Sequence, residues 1–379
     1  MNNSIIYIGL DVHSTNFTFC ALEPAFGKED KIFGVVKTAP DHKQVIKYIN
    51  HLKQKLGDSY DFVCGYEAGC LGYTLYNQLT QHDIKCVILA PSTMPQHKGK
   101  RIKTDRRDAQ MIASCLAYGT YSAVYVPDTD DIQIREYIRM RDDHKDSLKR
   151  IKQQIKAFCL RHGKQYGGKS AWTGAYVSWL RKLELDGILR ETMDDYLATY
   201  DSLTDKIERM DKRIEEFAMQ ERYAENVKKL ICFLGIRIHT ALSLIVETGD
   251  FRRFKKGNMY ASFLGLTPGE DSSSDSIHRL GITKAGNSHL RKLLIESAQG
   301  YCRGKPGYKS QNLKARQAGN EINVIAYADK ANDRLRRKYH RMTAEGKKGN
   351  VAKTAVAREL ACFVWGMMTE NMTREGKMA

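Results

Sequence analysis

The N-terminal part of the chain alternates between short apolar runs and helical patterns. Five runs of strand length cover residues 5–10, 16–21, 31–37, 61–65 and 86–89. Between them, two segments carry apolar residues three or four positions apart, as on one face of a helix: Val45, Ile46, Ile49 and Leu52, then Leu71, Leu75 and Leu79. A third helical pattern follows with Ala109, Met111, Ile112, Ala113 and Leu116. The predicted order is therefore βββαβαβα.

Acidic residues stand at the ends of these elements. Asp11 follows the first strand and Glu67 follows the fourth, while Asp105 and Asp108 begin the last helix three residues apart, on one face. Carboxylates at the ends of buried strands are costly unless they are paired or bind a metal. The element order is that of the ribonuclease-H-like fold, so we predict a metal site at this edge of the sheet. Taken alone, the helix pair could also be a solvated helix start with favourable dipole interactions.

Charge indicates a polyanionic partner. The formal net charge is +17 and the pI is near 9.3, and the basic residues run throughout the chain, which favours nucleic acid over a membrane surface. Four of them flank the helix pair and could clamp a phosphate backbone: Arg101, Lys103, Arg106 and Arg107. Nine scattered cysteines without a Cys-x-x-Cys pair predict neither a zinc site nor a disulfide framework. We find no apolar run of about 20 residues and no signal-peptide pattern.

The middle of the chain changes character after residue 128. Two apolar stripes at helical spacing lie between 132 and 217, separated by a glycine- and tryptophan-containing section. The stripes are Ile151, Ile155 and Phe158, and then Leu203, Ile207, Met210, Ile214 and Phe217. They favour an antiparallel helical hairpin or a dimerising coiled coil, and a helix packed only on its own domain stays an alternative. We predict domains at 1–128, 129–225 and 226–379.

The C-terminal part contains a polar loop with four serines. An apolar helix, a turn with Gly235 and a second helix first suggest a helix-hairpin-helix, or a plain helical turn. The loop at 269–279 then holds Ser272, Ser273, Ser274 and Ser276. Nearby cations that could hold a phosphate are His278, Arg279, Lys284, Arg291 and Lys292, and Lys347 with Lys348 forms a later basic turn. A serine becomes nucleophilic only when it is positioned and activated, so a flexible loop is the plainer interpretation.

Two ordered sets of motifs make the chain resemble the DEDD transposases of bacterial insertion sequences, the bridge-RNA-guided serine recombinases with a RuvC-like N-terminal domain. The first set is Gly9-Leu10-Asp11, Tyr66-Glu67-Ala68, and Lys103-Thr104-Asp105 with Asp108-Ala109. The second set is Gly265-Leu266-Thr267-Pro268, then Gly281-Ile282-Thr283-Lys284-Ala285-Gly286-Asn287 and Leu290-Arg291. The resemblance implies an α/β RuvC-like domain, a helical coiled-coil insert and a mainly α C-terminal transposase domain.

The resemblance also implies a site and its partners. Asp11, Glu67, Asp105 and Asp108 would hold Mg²⁺, and the family's serine nucleophile, five residues after the proline, falls on Ser273. Ser274 stands where the family usually has glycine, so Ser272 and Ser274 stay alternatives. The implied partners are double-stranded target and donor DNA, a structured guide RNA, and further copies of the chain as dimers that assemble into a tetramer. The implied location is the bacterial cytoplasm, at the nucleoid.

Two other functions remain open at this stage. A metal-dependent, structure-specific endonuclease of the junction-resolvase type would use the carboxylates for hydrolysis and leave the serine loop idle. A non-catalytic nucleic-acid scaffold would use neither. A covalent protein–DNA adduct that depends on Ser273 would distinguish a serine recombinase from both the endonuclease and the scaffold.

Overall fold

The computed structural model describes residues 4–25, 27–57, 59–69, 71–95, 104–273 and 276–372, with side chains described except at 92 and 272–279. The chain forms two compact units, Met1–Val126 and Pro127–Ala379. The predicted domains at 1–128, 129–225 and 226–379 stay predictions. Among the described residues, no helix is long and apolar enough to cross a membrane.

The first unit is built on a five-stranded sheet. Its elements are β1 (Ser4–Val12), β2 (Phe17–Glu23), β3 (Lys31–Thr38), α1 (His42–Leu56), β4 (Tyr60–Glu67), α2 (Thr74–Thr80), β5 (Lys85–Leu89) and α3 (Asp105–Tyr118). The strand order is β3-β2-β1-β4-β5, with β1, β2 and β3 antiparallel and β1, β4 and β5 parallel. The predicted element order is confirmed, and the central mixed sheet is consistent with a ribonuclease-H-like domain.

Helices cover both faces of this sheet. Ile6, Ile8 and Leu10 alternate along β1 and pack with apolar residues of α1 and α2. On the other face, Ile112 and Leu116 of α3 belong to a second cluster with Leu89, Met94 and Cys115. Alternating residues of a strand point to opposite faces, which is why a sheet buried on both sides needs apolar or small residues at every position.

Two glycines let α3 lie directly on the sheet. A Cβ atom on Gly9 would be 2.1 Å from the Ala109 carbonyl oxygen, and one on Gly65 would be 2.8 Å from the Val87 carbonyl oxygen and 2.9 Å from a Leu116 methyl carbon. Both positions therefore exclude any larger residue without a shift of the backbone. This close approach fixes where the first turn of α3 stands relative to the ends of β1 and β4.

The second unit begins with two long helices that pack against each other. Its elements are α4 (Thr129–Arg161), α5 (Gly174–Arg181), α6 (Gly187–Ala218), α7 (Glu221–Leu230), α8 (Ile238–Thr248), α9 (Gly257–Phe263), β6 (Pro268–Ser273), β7 (Ser276–Ile282), α10 (Ser288–Ala298), α11 (Gln311–Gln317), α12 (Ile322–Ala344) and α13 (Gly349–Met368). Helices α4 and α6 are antiparallel. The start of α4 shares one apolar core with the end of α6, and the end of α4 shares another core with the start of α6.

The predicted apolar stripes line this pair. Ile155 of α4 packs in a cluster with Met193 and Leu197 of α6, and Ile214 of α6 packs in a cluster with Ile134 and Ile138 of α4. The stripes thus pack within one chain, as an antiparallel helical hairpin requires. A coiled coil between chains is a separate matter and stays a prediction.

Two further predictions concern the C-terminal elements. The segment predicted as a helix-hairpin-helix or a plain helical turn forms α7 and α8, joined by a turn at 231–237. The polar segment 269–279 is largely a β-hairpin and not a loop, with Pro268 paired to Ile282 and Ser273 to Ser276. β6 has no apolar residue apart from its proline, and Ile277, Leu280 and Ile282 of β7 do not keep to alternate positions, so no alternating pattern reveals the two strands.

Candidate active site

Strand register brings the first two carboxylates together. β1 and β4 are parallel neighbours in which Leu10 pairs with Tyr66, so Asp11 and Glu67 follow at the same level, at the carboxyl ends of both strands. Paired residues of neighbouring strands share a face of the sheet. That face is the one covered by α3, because Gly9 and Gly65 lie two residues earlier on their strands and both contact α3 or its surroundings.

The helix α3 supplies the other two carboxylates in its first turn. Thr104 caps the helix and its side-chain oxygen accepts a hydrogen bond from the Arg107 N–H. Asp105 and Asp108 both lie in that turn. Oxygen or nitrogen ligand atoms of Asp11, His13 and Asp105 lie within 4.8 Å of one another, a spacing that could hold one metal ion. Asp11 and Asp105 are therefore close enough to share one ion, and their role as metal ligands stays a prediction.

The environment of Asp11 favours a bound cation. Its Oδ2 atom is buried and makes no hydrogen bond with any described residue, although His13 Nε2 lies 3.3 Å away. Burial raises the pKa of the Asp11 carboxyl, and the nearby Asp108 and Asp105 raise it further, while His13 lowers it. A divalent cation at this point would remove the repulsion and satisfy the buried oxygen. The donor set of carboxylates with one imidazole fits such an ion.

Two residues of this site were missed by sequence reasoning. The Lys37 ammonium donates a hydrogen bond of 2.8 Å to Asp105 Oδ2, and this contact lowers the pKa of the Asp105 carboxyl. Lys37 reaches the site because it pairs with Thr18, which in turn pairs with Asp11. His13 could have been found from its place two residues after Asp11. Lys37 could not, since its place depends on strand register.

The serine motif of the second unit is held by a backbone-to-backbone contact. Residues 263–267 and 283–287 lie side by side: the Lys284 N–H donates to the Gly265 carbonyl, and the Asn287 N–H donates to the Phe263 carbonyl. Gly265 and Gly286 have φ angles of +64° and +76°, and a Cβ on Gly286 would be 2.0 Å from the Phe263 carbonyl oxygen. The two motif glycines are therefore required by this contact. The hairpin β6–β7 connects these two segments, because β6 begins at Pro268 and β7 ends at Ile282.

The proposed nucleophile is at the tip of that hairpin. Ser273 is the last residue of β6, and its backbone pairs with Ser276. The side chains of Ser272 and Ser273 and the whole of Ser274 lie outside the described residues.

A buried ionic network contacts the second part of this motif, at Asn287 and His289. Glu247, with a side chain 1% exposed, accepts hydrogen bonds from Arg139 and from Asn287 Nδ2, the latter at 2.9 Å. His289 lies between two acids, with Nε2 2.9 Å from Asp142 Oδ2 and Nδ1 3.3 Å from Glu247 Oε1. These acids raise the pKa of His289 to about 9 against the opposing effect of burial. Asn287 and His289 thereby connect the motif rigidly to α4 and α8.

The predicted nucleic-acid contacts are distributed over both units. Arg106 and Arg107 are exposed near the start of α3, and Lys347 and Lys348 are exposed in the turn before α13. Lys284 is exposed with a φ of +56°. One predicted contact has a structural use, because Arg291 Nη1 donates to the carbonyls of Leu264 and Ala285. Arg101, Lys103 and the side chain of Arg279 lie outside the described residues.

Comparison with known proteins gives matches over both units. Residues 8–162 match a transposase family profile, the IS110-type DEDD transposases, and residues 227–311 match the family described as Transposase IS116/IS110/IS902. The chain is 34% identical to a putative transposase y4qE of Sinorhizobium fredii, over 96% of this chain and 88% of that protein. It is 30% identical to the transposase for insertion sequence element IS1533 of Leptospira borgpetersenii, over 90% and 98%.

Proposed function

Because the chain belongs to the IS110 family of insertion-sequence transposases, we propose that it cuts and rejoins DNA through a covalent phosphoserine intermediate. The observation that carries this proposal is the pairing of two separate features in one chain. One is the carboxylate set of the first unit, at the ends of β1 and β4 and the start of α3. The other is the serine hairpin of the second unit, next to the backbone contact at Gly265 and Gly286.

The chemistry divides between the two features. The hydroxyl oxygen of Ser273 attacks the scissile phosphorus, a P–O–Ser bond forms, the bond to the 3′-oxygen breaks, and that oxygen leaves with a proton. The 3′-hydroxyl of another strand then reverses the step and releases the serine, so no phosphodiester bond is lost to water. Mg²⁺ held by Asp11, Glu67, Asp105 and Asp108 would stabilise the charge that develops on the phosphate.

The partners follow from the same proposal. The protein acts on double-stranded target and donor DNA, and a structured guide RNA chooses the sites by base pairing, which relieves the protein of reading sequence itself. The carboxylates of one protomer and the serine of another form one composite site, in dimers that assemble into a tetramer, with an interchain coiled coil contributed by 129–225. The protein works in the bacterial cytoplasm at the nucleoid. Its net charge of +17 supports binding to both nucleic acids.

The serine step is tested by trapping the adduct. The full-length protein is incubated with guide RNA, labelled DNA and Mg²⁺, denatured, and examined for DNA attached to protein. Ser273→Ala should abolish the adduct, and Ser276→Ala, on the facing strand of the same hairpin, should retain it. Cleavage that persists without an adduct would instead support the junction-resolvase alternative, which the transposase relatives do not favour. Ser272→Ala and Ser274→Ala distinguish the neighbouring serines.

The metal step is tested by thermal unfolding with and without Mg²⁺. A ligand at a hundred times its Kd stabilises a folded protein by about 2.7 kcal/mol. Asp11→Asn should abolish the Mg²⁺-dependent rise in Tm, and it should raise Tm in EDTA because it removes a buried, repelled charge. The matched control is Asp61→Asn, an exposed position on β4, which should keep the Mg²⁺ response. An Asp11→Asn variant with a normal response would overturn the assignment.

A further inference from the structure

A row of lysines lies along one face of the long helix α4. Lys145, Lys149, Lys152 and Lys156 recur at steps of four, three and four, so they share one side of the helix. The row covers about 16 Å at the 1.5 Å rise of an α-helix. Together with Lys292 of α10 it lines a groove of about 470 Å³.

Most of this charge is not used inside the protein. Lys145, Lys149 and Lys156 are exposed, and none forms an ion pair with a residue in the part of the chain that the structure describes. Three acids also line the groove: Asp142, Asp146 and Glu296. The first contacts His239, His289 and Arg141, and the second pairs with Lys292 at 2.9 Å. The groove is therefore cationic, with Glu296 as the one acid lacking a described ion pair.

The lining of the groove includes an aromatic side chain. Trp172 lines it and stacks on Tyr200, with ring centroids 5.3 Å apart. The Lys152 ammonium lies 5.2 Å from the Trp172 ring and 5.5 Å from the Tyr200 ring, and burial lowers its pKa. Trp172 has a φ of +66°, a strained conformation for a bulky residue that the surrounding packing must maintain. One lysine of the row, Lys152, is thus held against an aromatic pair.

We propose that this groove binds the phosphate backbone of duplex DNA. Charge complementarity is direct, since duplex DNA carries one charge per about 1.7 Å of its axis and 16 Å therefore present about nine charges. The groove also includes α10, whose first turn is joined to the serine motif through Asn287 and Arg291. A duplex held there lies on the unit that carries Ser273. The choice of DNA rests on the proposed function, while the phosphate site itself does not.

The test is DNA binding by the full-length protein, measured by fluorescence anisotropy over a range of salt concentrations in EDTA. The groove variant is Lys145→Gln, Lys149→Gln, Lys156→Gln. The matched control removes the same charge from exposed positions on other helices: Lys206→Gln, Lys212→Gln, Lys228→Gln. A third variant with arginine at the three groove positions keeps the charge. All of these positions are exposed, and thermal melts verify folding.

The groove variant should bind a labelled duplex at least tenfold more weakly at low salt. The negative slope of log K against log salt should become shallower by about 2.7, since each of the three lost phosphate contacts contributes about 0.9. The control and arginine variants should stay within about threefold of the parent protein. Equal loss in groove and control variants overturns the site, and selective loss of binding to a structured RNA overturns the choice of DNA. Because EDTA stops the chemistry, these outcomes are independent of the Ser273 adduct.

Discussion

Gly9→Ala tests whether contact between α3 and the sheet positions the carboxylate site. The added Cβ would lie 2.1 Å from the Ala109 carbonyl oxygen and 2.4 Å from the Ala113 nitrogen. Real Cβ atoms essentially never come closer than 3.0 Å, so α3 must retreat from β1 by about 0.9 Å. Both clashing atoms belong to a helix backbone, which cannot rotate away as a side chain can.

Two effects of this retreat can be estimated. Overpacking of a well-packed core costs typically 1–3 kcal/mol, which for a unit of this size lowers Tm by roughly 4–12 °C. The helix also carries Asp105 and Asp108 away from Asp11, and a displacement of about 1 Å in a catalytic site can cost about 10²-fold in rate. We therefore expect a folded protein with a strongly reduced rate of DNA cleavage and a weakened Mg²⁺-dependent rise in Tm.

The assay is thermal unfolding together with single-turnover cleavage in Mg²⁺. The matched control is Gly69→Ala in the same unit, where an added Cβ finds its nearest atom at 3.8 Å and should change Tm by less than about 1 °C. A Gly9→Ala protein with parental Tm and parental cleavage would refute the reasoning, because it would show that α3 can shift without disturbing the carboxylates.

Three further predictions concern other parts of the molecule. Gly286→Ala should lower Tm and abolish the DNA adduct, since its φ is positive and its Cβ would lie 2.0 Å from the Phe263 carbonyl oxygen; a parental melt would contradict this. His289, with a pKa raised to about 9, stabilises the fold fully below pH 6.5 and loses that contribution as pH rises through 9, up to about 3 kcal/mol; His289→Gln should flatten this part of a urea-denaturation pH profile. Lys37→Gln should raise the pKa of Asp105 and strengthen Mg²⁺ binding in calorimetry, because the ammonium occupies a carboxylate oxygen; weaker binding would show that Lys37 assists the metal.

The fold of the first unit was accessible from the sequence because its pattern is regular. Ile6, Ile8 and Leu10 alternate on β1, and the α1 residues recur at helical spacing, so burial follows directly from periodicity. The same reasoning puts Asp11 and Glu67 at strand ends, and they lie in the last positions of β1 and β4; their binding of a metal stays a prediction. Local patterns suffice where a residue's role depends on its own element.

Features that depend on register or on long-range packing were not accessible. Lys37 reaches Asp105 only through the pairing of three strands. β6 lacks apolar residues apart from its proline, and those of β7 do not alternate, so neither segment indicates a strand. The lysine row on α4 has the composition of an ordinary solvated helix face. The lysines are recognised as part of a groove only when the positions of α10 and Trp172 are known.

The antiparallel pair α4–α6 has a consequence for unfolding cooperativity. Its two apolar cores are separate, and in α4 the stretch between Ile138 and Ile151 buries only Arg141, which pairs with Asp211 at 2.7 Å. Polar contacts transmit folding cooperativity less effectively than a continuous core. The part formed by the end of α4 and the start of α6 can therefore unfold separately. Amide hydrogen exchange should therefore be faster at Ile155 and Met193 than at Ile134 and Ile214. Calorimetry of the intact chain should show more than one transition, so each Tm above refers to the transition of the unit that carries the substitution.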